Sequence, residues 1–240
     1  MNKSVLLFSG GMDSVMYAYL LHPDVLLRVN MHESYEERER SATEVVVELM
    51  GWENIYVEDN ETFNFSAMER SDYIIPNRNI YLIAKASEYG EIIWLSSVNG
   101  DRSLDKDEEF YADMEKLLNH VWDEQHWTKK RTIQVTAPFK PNTKTQLLKI
   151  YLENGGPIDS ILASYSCYKG EEKPCGICKP CMRKAVALVN NGIDITGYFQ
   201  NSPLTAIQEV LPLAMAGKYR GQEDKDIINA ANILAQQEPQ

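Results

Sequence analysis

Five short apolar runs alternate with five stretches of helical periodicity in the first 155 residues. That alternation restricts the fold more than any other feature. Strands joined by helix-length crossovers pair in parallel, and a parallel sheet has to be covered on both faces. The predicted strands are Ser4–Phe8, Val25–Val29, Asn54–Val57, Glu91–Leu95 and Ile133–Thr136. The predicted helices are Met12–Leu21, Glu36–Met50, Asn77–Glu88, Lys106–Trp122 and Thr143–Glu153. Pro23 closes the first of them, and Gly51 stops the second after its Val45/Val46/Leu49 stripe. The expected fold is therefore α/β: a doubly wound, Rossmann-like sheet of five parallel strands. A ligand would sit at the carboxyl ends of the strands, near the switch in strand order.

No strand is expected after residue 156. Helices are expected over about 179–190, 203–216 and 222–236, and 236–240 reads as a frayed tail. An apolar face on the 203–236 helices serves either the core or a second copy of the chain, as a homodimer. All four cysteines fall between Cys167 and Cys181, as C-x7-C-x2-C-x2-C with Cys175 and Cys178 between them. Gly176 lets the chain turn so that neighbouring thiolates face one centre. Four thiolates suit tetrahedral Zn2+, and with no position left for water the site would be structural. An iron–sulfur cluster and four free thiols remain the alternatives. Lys169, Lys173, Lys179, Arg183 and Lys184 are expected to offset the anionic cluster. The chain divides accordingly into an α/β domain over 1–156 and a metal-binding segment with C-terminal helices over 157–240.

Lys and Arg total 24 against 35 Asp and Glu, a formal charge of −11. So acidic a body disfavours a large nucleic acid as partner. No apolar run approaches the ~20 residues of a membrane span. The N-terminus lacks a signal-type apolar region, so no membrane association and a cytoplasmic location are expected.

The first strand–helix junction reads Phe8-Ser9-Gly10-Gly11-Met12-Asp13-Ser14-Val15. Its glycines can aim successive N–H groups into one concavity, and the helix N-terminus adds positive potential. A phosphate cradle follows. It is not a Walker A loop, which needs a Lys, nor the G-x-G-x-x-G dinucleotide turn. The bland alternative is a tight turn with Asp13 favourable in the first helical turn.

Ser9-Gly10-Gly11-Met12-Asp13-Ser14 resembles the pyrophosphate loop of the N-type ATP pyrophosphatases. Further stretches follow in order: Ile75-Pro76-Asn77-Arg78-Asn79-Ile80, Ser97-Val98-Asn99-Gly100-Asp101, Pro138 with Thr143-Lys144, and Ser166-Cys167-Tyr168 before Cys175, Cys178 and Cys181. Together these resemble the 7-cyano-7-deazaguanine synthase family of queuosine biosynthesis, from about residue 4 to 190. The resemblance implies an adenine nucleotide alpha hydrolase-like domain and an ATP-dependent carbon–nitrogen ligase, with Mg2+ accompanying ATP. Its substrates would be ATP, ammonia and 7-carboxy-7-deazaguanine. Phe8, Ser9, Gly10, Gly11, Met12, Asp13, Ser14, Val15 and Arg78 would then surround ATP, with Asp13 orienting the loop or a Mg2+. Ser14, Arg78 and Lys144 are the catalytic candidates. Arg78 would pair with the substrate carboxylate or the phosphates, and Lys144 with the departing pyrophosphate. As plain surface residues both would instead be solvated. Asn79, Asn99, Asp101 and Asp105 are the substrate-binding candidates, an acid among them accepting from a guanine-like edge. His22, His32, His120 and His126 have no paired spacing and receive no role.

The chain departs from that family twice. Ser103-Leu104-Asp105-Lys106-Asp107-Glu108-Glu109-Phe110 stands where the family carries a stretch like G-Y-P-D-C-R-P-E-F, which lies by the deazaguanine. Asn30-Met31-His32-Glu33-Ser34-Tyr35 lacks the usual Y-G-Q element. An amide product or a related carboxylate, a tRNA-modifying adenylase and a non-catalytic nucleotide-binding subunit are therefore the competing readings.

Overall fold

The computed structural model describes residues 2–61 and 63–237. Five parallel strands form one sheet: β1 (Ser4–Leu7), β2 (Val25–Val29), β3 (Tyr56–Asp59), β4 (Ile92–Trp94) and β5 (Gln134–Thr136). Their order is β3-β2-β1-β4-β5, with Val5 in register with Val25 on one side and Ile93 on the other. Strand order reverses between β1 and β4. A crevice opens where the connections leave in opposite directions.

The pleat explains why short apolar runs suffice. Leu6, Phe8 and Leu26 face α1 (Met12–Leu21), α2 (Glu36–Met50) and α5 (Lys144–Glu153), and share one core with Val15, Met16, Val46, Leu147 and Tyr151. Val5, Val25, Leu27 and Ile93 face the other way, onto Ile83 of α3 (Arg78–Ala86) and Tyr111 and Met114 of α4 (Glu108–Val121). Alternate residues of one strand thus feed two cores.

After residue 156 come α6 (Ile158–Ala163), α7 (Lys179–Asn190), α8 (Pro203–Met215) and α9 (Glu223–Gln237), and no strand among the described residues. Ile161, Ala187 and Leu188 join the first core. Leu204, Ile207, Ile227, Ala230 and Leu234 close a third around Met182 and Val186. Much of the apolar face of the last helices is thus packed within the chain, while Leu213 and Met215 of α8 stay exposed. Of the expected tail, Gln236 and Gln237 end α9, and 238–240 lie outside the described residues.

Two element starts moved by two residues. The third strand starts at Tyr56 rather than Asn54, because Ile55 and Tyr56 first donate their N–H groups to Trp52 in the turn that leaves α2. The fourth helix starts at Glu108, because Asp107 is extended (φ −92°, ψ 170°) and caps it by accepting from the Phe110 N–H at 2.8 Å. A separate 3-10 turn occupies Leu104–Lys106. The short α6 has no periodicity long enough to read from sequence.

Candidate active site and four-cysteine cluster

The loop after β1 is shaped by what lies behind it. Gly10 has φ +69°, and a Cβ there would fall 1.9 Å from Thr43 Oγ1 on α2. Glycine is thus demanded by backbone conformation and by close packing together. Thr43 Oγ1 donates to the Ser9 carbonyl at 3.3 Å, and the Tyr165 N–H donates to the Gly10 carbonyl at 3.3 Å. The loop is clamped between α2 and the segment leading to the cysteines. Gly11 caps α1 with no side-chain acceptor of its own, so the N–H groups of the helix start face the crevice without a side-chain cap.

A cleft of about 330 Å³ opens there, at the carboxyl ends of β1, β2 and β4. Phe8, Ser9, Gly11, Met12, Asp13 and Ser14 line it. Gly10 and Val15 do not: Gly10 packs on Thr43, and the Val15 side chain is fully buried in the first core. Phe8 turns its ring into that core as well, edge-on to Trp52 and Tyr56. Tyr17 fixes the loop across the sheet. Its hydroxyl donates to the Ser97 carbonyl at 2.5 Å and accepts from the Phe139 N–H at 3.1 Å.

Lys144 begins α5 and is only 7% exposed, so it is no solvated surface lysine. Its Nζ lies 2.5 Å from Asp13 Oδ1, across the mouth of the loop. A capping box, with Thr143 accepting from the Gln146 N–H and Gln146 accepting from that of Thr143, holds this helix start. Arg78 also lines the cleft, at the start of α3, and has neither ion pair nor hydrogen bond among the described residues. Burial opposes its charge, but Tyr35, Tyr168, Glu33 and Glu39 nearby keep the guanidinium firmly protonated.

The remaining substrate candidates separate. Asn79 lines the cleft and donates to the Asp105 backbone carbonyl at 3.1 Å and to its carboxylate at 2.8 Å, while Asp105 itself stands behind it, outside the lining. Asn99 ties the exit of β4 to α5 through its N–H to the Asn142 carbonyl at 2.8 Å, and lines a neighbouring hollow. Asp101 lies in the cleft but is held by Arg183 Nη1 at 2.8 Å and Lys106 Nζ at 3.2 Å. Burial raises its pKa, yet Lys106 and Arg183 outweigh that and keep it far below the ordinary carboxylate range. Arg183 also grips Glu223 of α9 at 2.8 Å. The altered 103–110 segment therefore supplies Lys106 to Asp101 and Asp105 to Asn79.

A carboxyl depressed in the fold contributes stability above its unfolded pKa of about 4, and that contribution fades as pH falls below this value. Asp101→Asn is expected to lose about 3 kcal/mol at pH 7, the range for breaking a buried pair. The gap to the unaltered protein should shrink at pH 3.5. Urea unfolding followed by circular dichroism at both pH values measures it, and a gap that does not narrow contradicts the pairing.

Sequence reasoning missed several cleft residues. Arg28 on β2 is buried beside Glu36, Glu39 and Glu58, and Arg220 follows α8 and donates to the Gly100 carbonyl at 2.5 Å. Glu39 is pushed up to about 7 by burial, against the pull of Arg28. With Arg78, Lys106, Lys144, Lys179 and Arg183 they give the cleft seven cations against four carboxylates, in a chain whose formal charge is −11. Only one sequence signal pointed there: cations interrupting otherwise apolar segments, as Arg28 does in β2. No described histidine lines the cleft.

The cysteines lie behind the cleft, outside its lining. The Sγ atoms of Cys167, Cys175, Cys178 and Cys181 lie within 4.8 Å of one another, close to the ~3.8 Å separation of four thiolates around one tetrahedral ion. Backbone N–H groups of Lys169 and Cys175 approach Cys167 Sγ at 3.4 Å, which suits a thiolate. Gly176 has φ +83°, and a Cβ would strike the Asn201 carbonyl at 2.1 Å. The donor set and spacing fit a metal. The expected basic screen is only partly there: Arg183 turns to Asp101 and Glu223, and the buried Lys184 donates to Ser164 O and Oγ at 2.7 and 3.0 Å. From this knot Tyr165, Ser166, Tyr168, Lys179 and Pro180 reach the cleft.

The chain is similar to known proteins over most of its length. The chain is 28% identical over 221 residues to the 7-cyano-7-deazaguanine synthase of Clostridium kluyveri, covering 80% of this chain and 95% of that protein. It is 27% identical over 216 residues to that of Archaeoglobus fulgidus, covering 80% and 87%. The synthase of Chlorobaculum tepidum is 25% identical over 222 residues, covering 80% and 94%. No described helix is long and apolar enough to cross a membrane. The model of the family described as queuosine biosynthesis protein QueC matches residues 53–192, more than half of the 240 residues, and the chain belongs to that family.

Proposed function

We propose that this protein converts 7-carboxy-7-deazaguanine and ammonia to 7-cyano-7-deazaguanine at the expense of ATP, as a carbon–nitrogen ligase. The observation that carries the reading is the cleft itself: a clamped helix start with no side-chain cap, its one first-turn acid Asp13 paired with Lys144, facing a surplus of cations at the sheet's switch point. Ser9, Gly11, Met12 and Ser14 would hold the phosphates, Asp13 would orient the loop or a Mg2+, and Mg2+ bound with ATP would neutralise part of the phosphates' charge.

The chemistry follows from charge. A carboxylate is a poor electrophile. Its oxygen attacks the α-phosphorus of ATP and pyrophosphate leaves, with Lys144 beside the loop stabilising the departing charge. Ammonia then attacks the acyl carbon, AMP leaves with a proton released, and an amide forms. A second ATP adenylates the amide oxygen, and loss of AMP with the remaining nitrogen protons gives the nitrile. Arg78, a half-buried cation of the cleft with no hydrogen bond or ion pair among the described residues, would orient the substrate carboxylate. The four cysteines would hold a structural Zn2+, since the set leaves no open position for water.

Purified protein is incubated with ATP, Mg2+, ammonium and 7-carboxy-7-deazaguanine. The expected result is two AMP per nitrile, read by mass. Accumulation of the amide alone would favour the second reading, an amide-forming relative, which the altered Ser103–Phe110 segment motivates. Nucleotide binding without any AMP release would refute both.

A further inference from the structure

Four carboxylates line the cleft, and three are committed: Asp13 to Lys144, Glu39 to Arg28 and Asp101 to Lys106 and Arg183. The fourth, Glu33, has no side-chain hydrogen bond or ion pair among the described residues. It lies just after β2, one residue beyond His32, which adopts φ +60°. The left-handed backbone there turns the chain over the crevice. Tyr35 follows, and its ring lies 5.5 Å from that of Tyr168 and 6.3 Å from that of Tyr73. Tyr73 and Tyr168 stack at 5.0 Å with planes 26° apart. Tyr35 and Tyr168 both line the cleft, and Arg78 sits among them.

A carboxylate and a guanidinium that feel one another's charge but share no hydrogen bond or ion pair, together with aromatic walls, suit a flat molecule with opposed demands. It would present two adjacent N–H donors at one edge and an anion elsewhere. Adenine does not present such a donor pair, whereas a guanine-type edge does, through its ring N–H and exocyclic amine. We infer that Glu33 reads the guanine-type edge of the acid substrate, packed beside Tyr35 and Tyr168, while Arg78 faces its carboxylate. The inference rests on the functional reading above and names the specificity residue of that same site. It also places the recognition on the 30–35 segment, one of the two stretches where this chain departs from its family's pattern, rather than on Asp101 or Asp105, whose lone pairs are already engaged.

Calorimetry of the full chain tests it with two probes, 7-carboxy-7-deazaguanine and its counterpart lacking the 2-amino group. The unaltered protein should prefer the amino compound by at least about tenfold, the lower end for a hydrogen bond to a charged group. Glu33→Gln should weaken binding of the amino compound by a similar factor and erase the preference. Glu33→Asp should restore part of it. Affinity for a non-hydrolysable ATP analogue should be unchanged in both variants, which also reports that they fold. An undiminished preference in Glu33→Gln, an equal loss of nucleotide affinity, or an unaltered protein that binds neither probe would overturn the assignment. Normal discrimination without turnover of the acid would sink the ligase reading alone and leave the Glu33 subsite standing.

Discussion

Cys178→Ser is expected to release the bound metal and unfold the 165–182 segment while the five-stranded sheet persists. Cys178 caps α7 and completes a set of sulfurs within 4.8 Å of one another. Around it the chain is irregular, and its few hydrogen bonds run to neighbours such as Gln200, which donates to the Pro174 carbonyl at 2.9 Å. Such a segment would draw its order from a bound ion: the unfolded chain has no preformed site, so metal binding is folding free energy, about 10 kcal/mol or more in small zinc peptides. The effect should reach the cleft. The Tyr165 N–H braces the Gly10 carbonyl, and Tyr168, Lys179 and Pro180 line the cavity. Metal content by atomic spectroscopy should fall from one ion per chain to near zero. Hydrogen exchange should accelerate across 165–182 but not in β1, and ATP should bind more weakly. Exhaustive chelation should reproduce all three changes. A variant that keeps its ion and its protection would contradict four-sulfur ligation.

Lys144→Ala should be the most damaging single change in the cleft that leaves the fold intact. The side chain is nearly buried and meets Asp13 at 2.5 Å, so its removal takes a cation from the loop and leaves a carboxylate uncompensated beside the phosphates. Loss of one donor aimed at developing charge costs about 10²–10³ in kcat. The expected signature is a fall of that size in AMP and pyrophosphate release, with a smaller rise in the KM for ATP. Lys144→Arg should recover part of the rate. A fall confined to KM would mean that Lys144 serves ground-state binding only, and an unchanged rate would remove it from the chemistry.

Local order was legible because local physics determines it. A β1 run bounded by Ser9-Gly10-Gly11 and a helix opening at Met12 need only neighbouring residues, and both lie within a residue of where periodicity places them. The third strand and the fourth helix moved because side-chain and turn hydrogen bonds at Trp52 and Asp107 took over a few backbone groups, and no hydrophobic period reports those. Spacing likewise sufficed to gather the four cysteines, since all lie within one short stretch of chain.

The cleft's charge pattern was different. Asp101 looks like a free acid in sequence, yet it meets Arg183, 82 residues away, which in turn holds Glu223 from α9. Lys144 is singled out in sequence only by resemblance, with a solvated helix lysine as the alternative, yet it closes on Asp13, 131 residues away. The sequence by itself determined the element order, the glycine turn after the first strand and the sulfur cluster, because each is written in contiguous residues. The tertiary structure alone decided which charges are spent on one another and which remain for a ligand, because ion pairing depends on distance in space, and the sheet's reversal brings distant parts of the chain to one crevice.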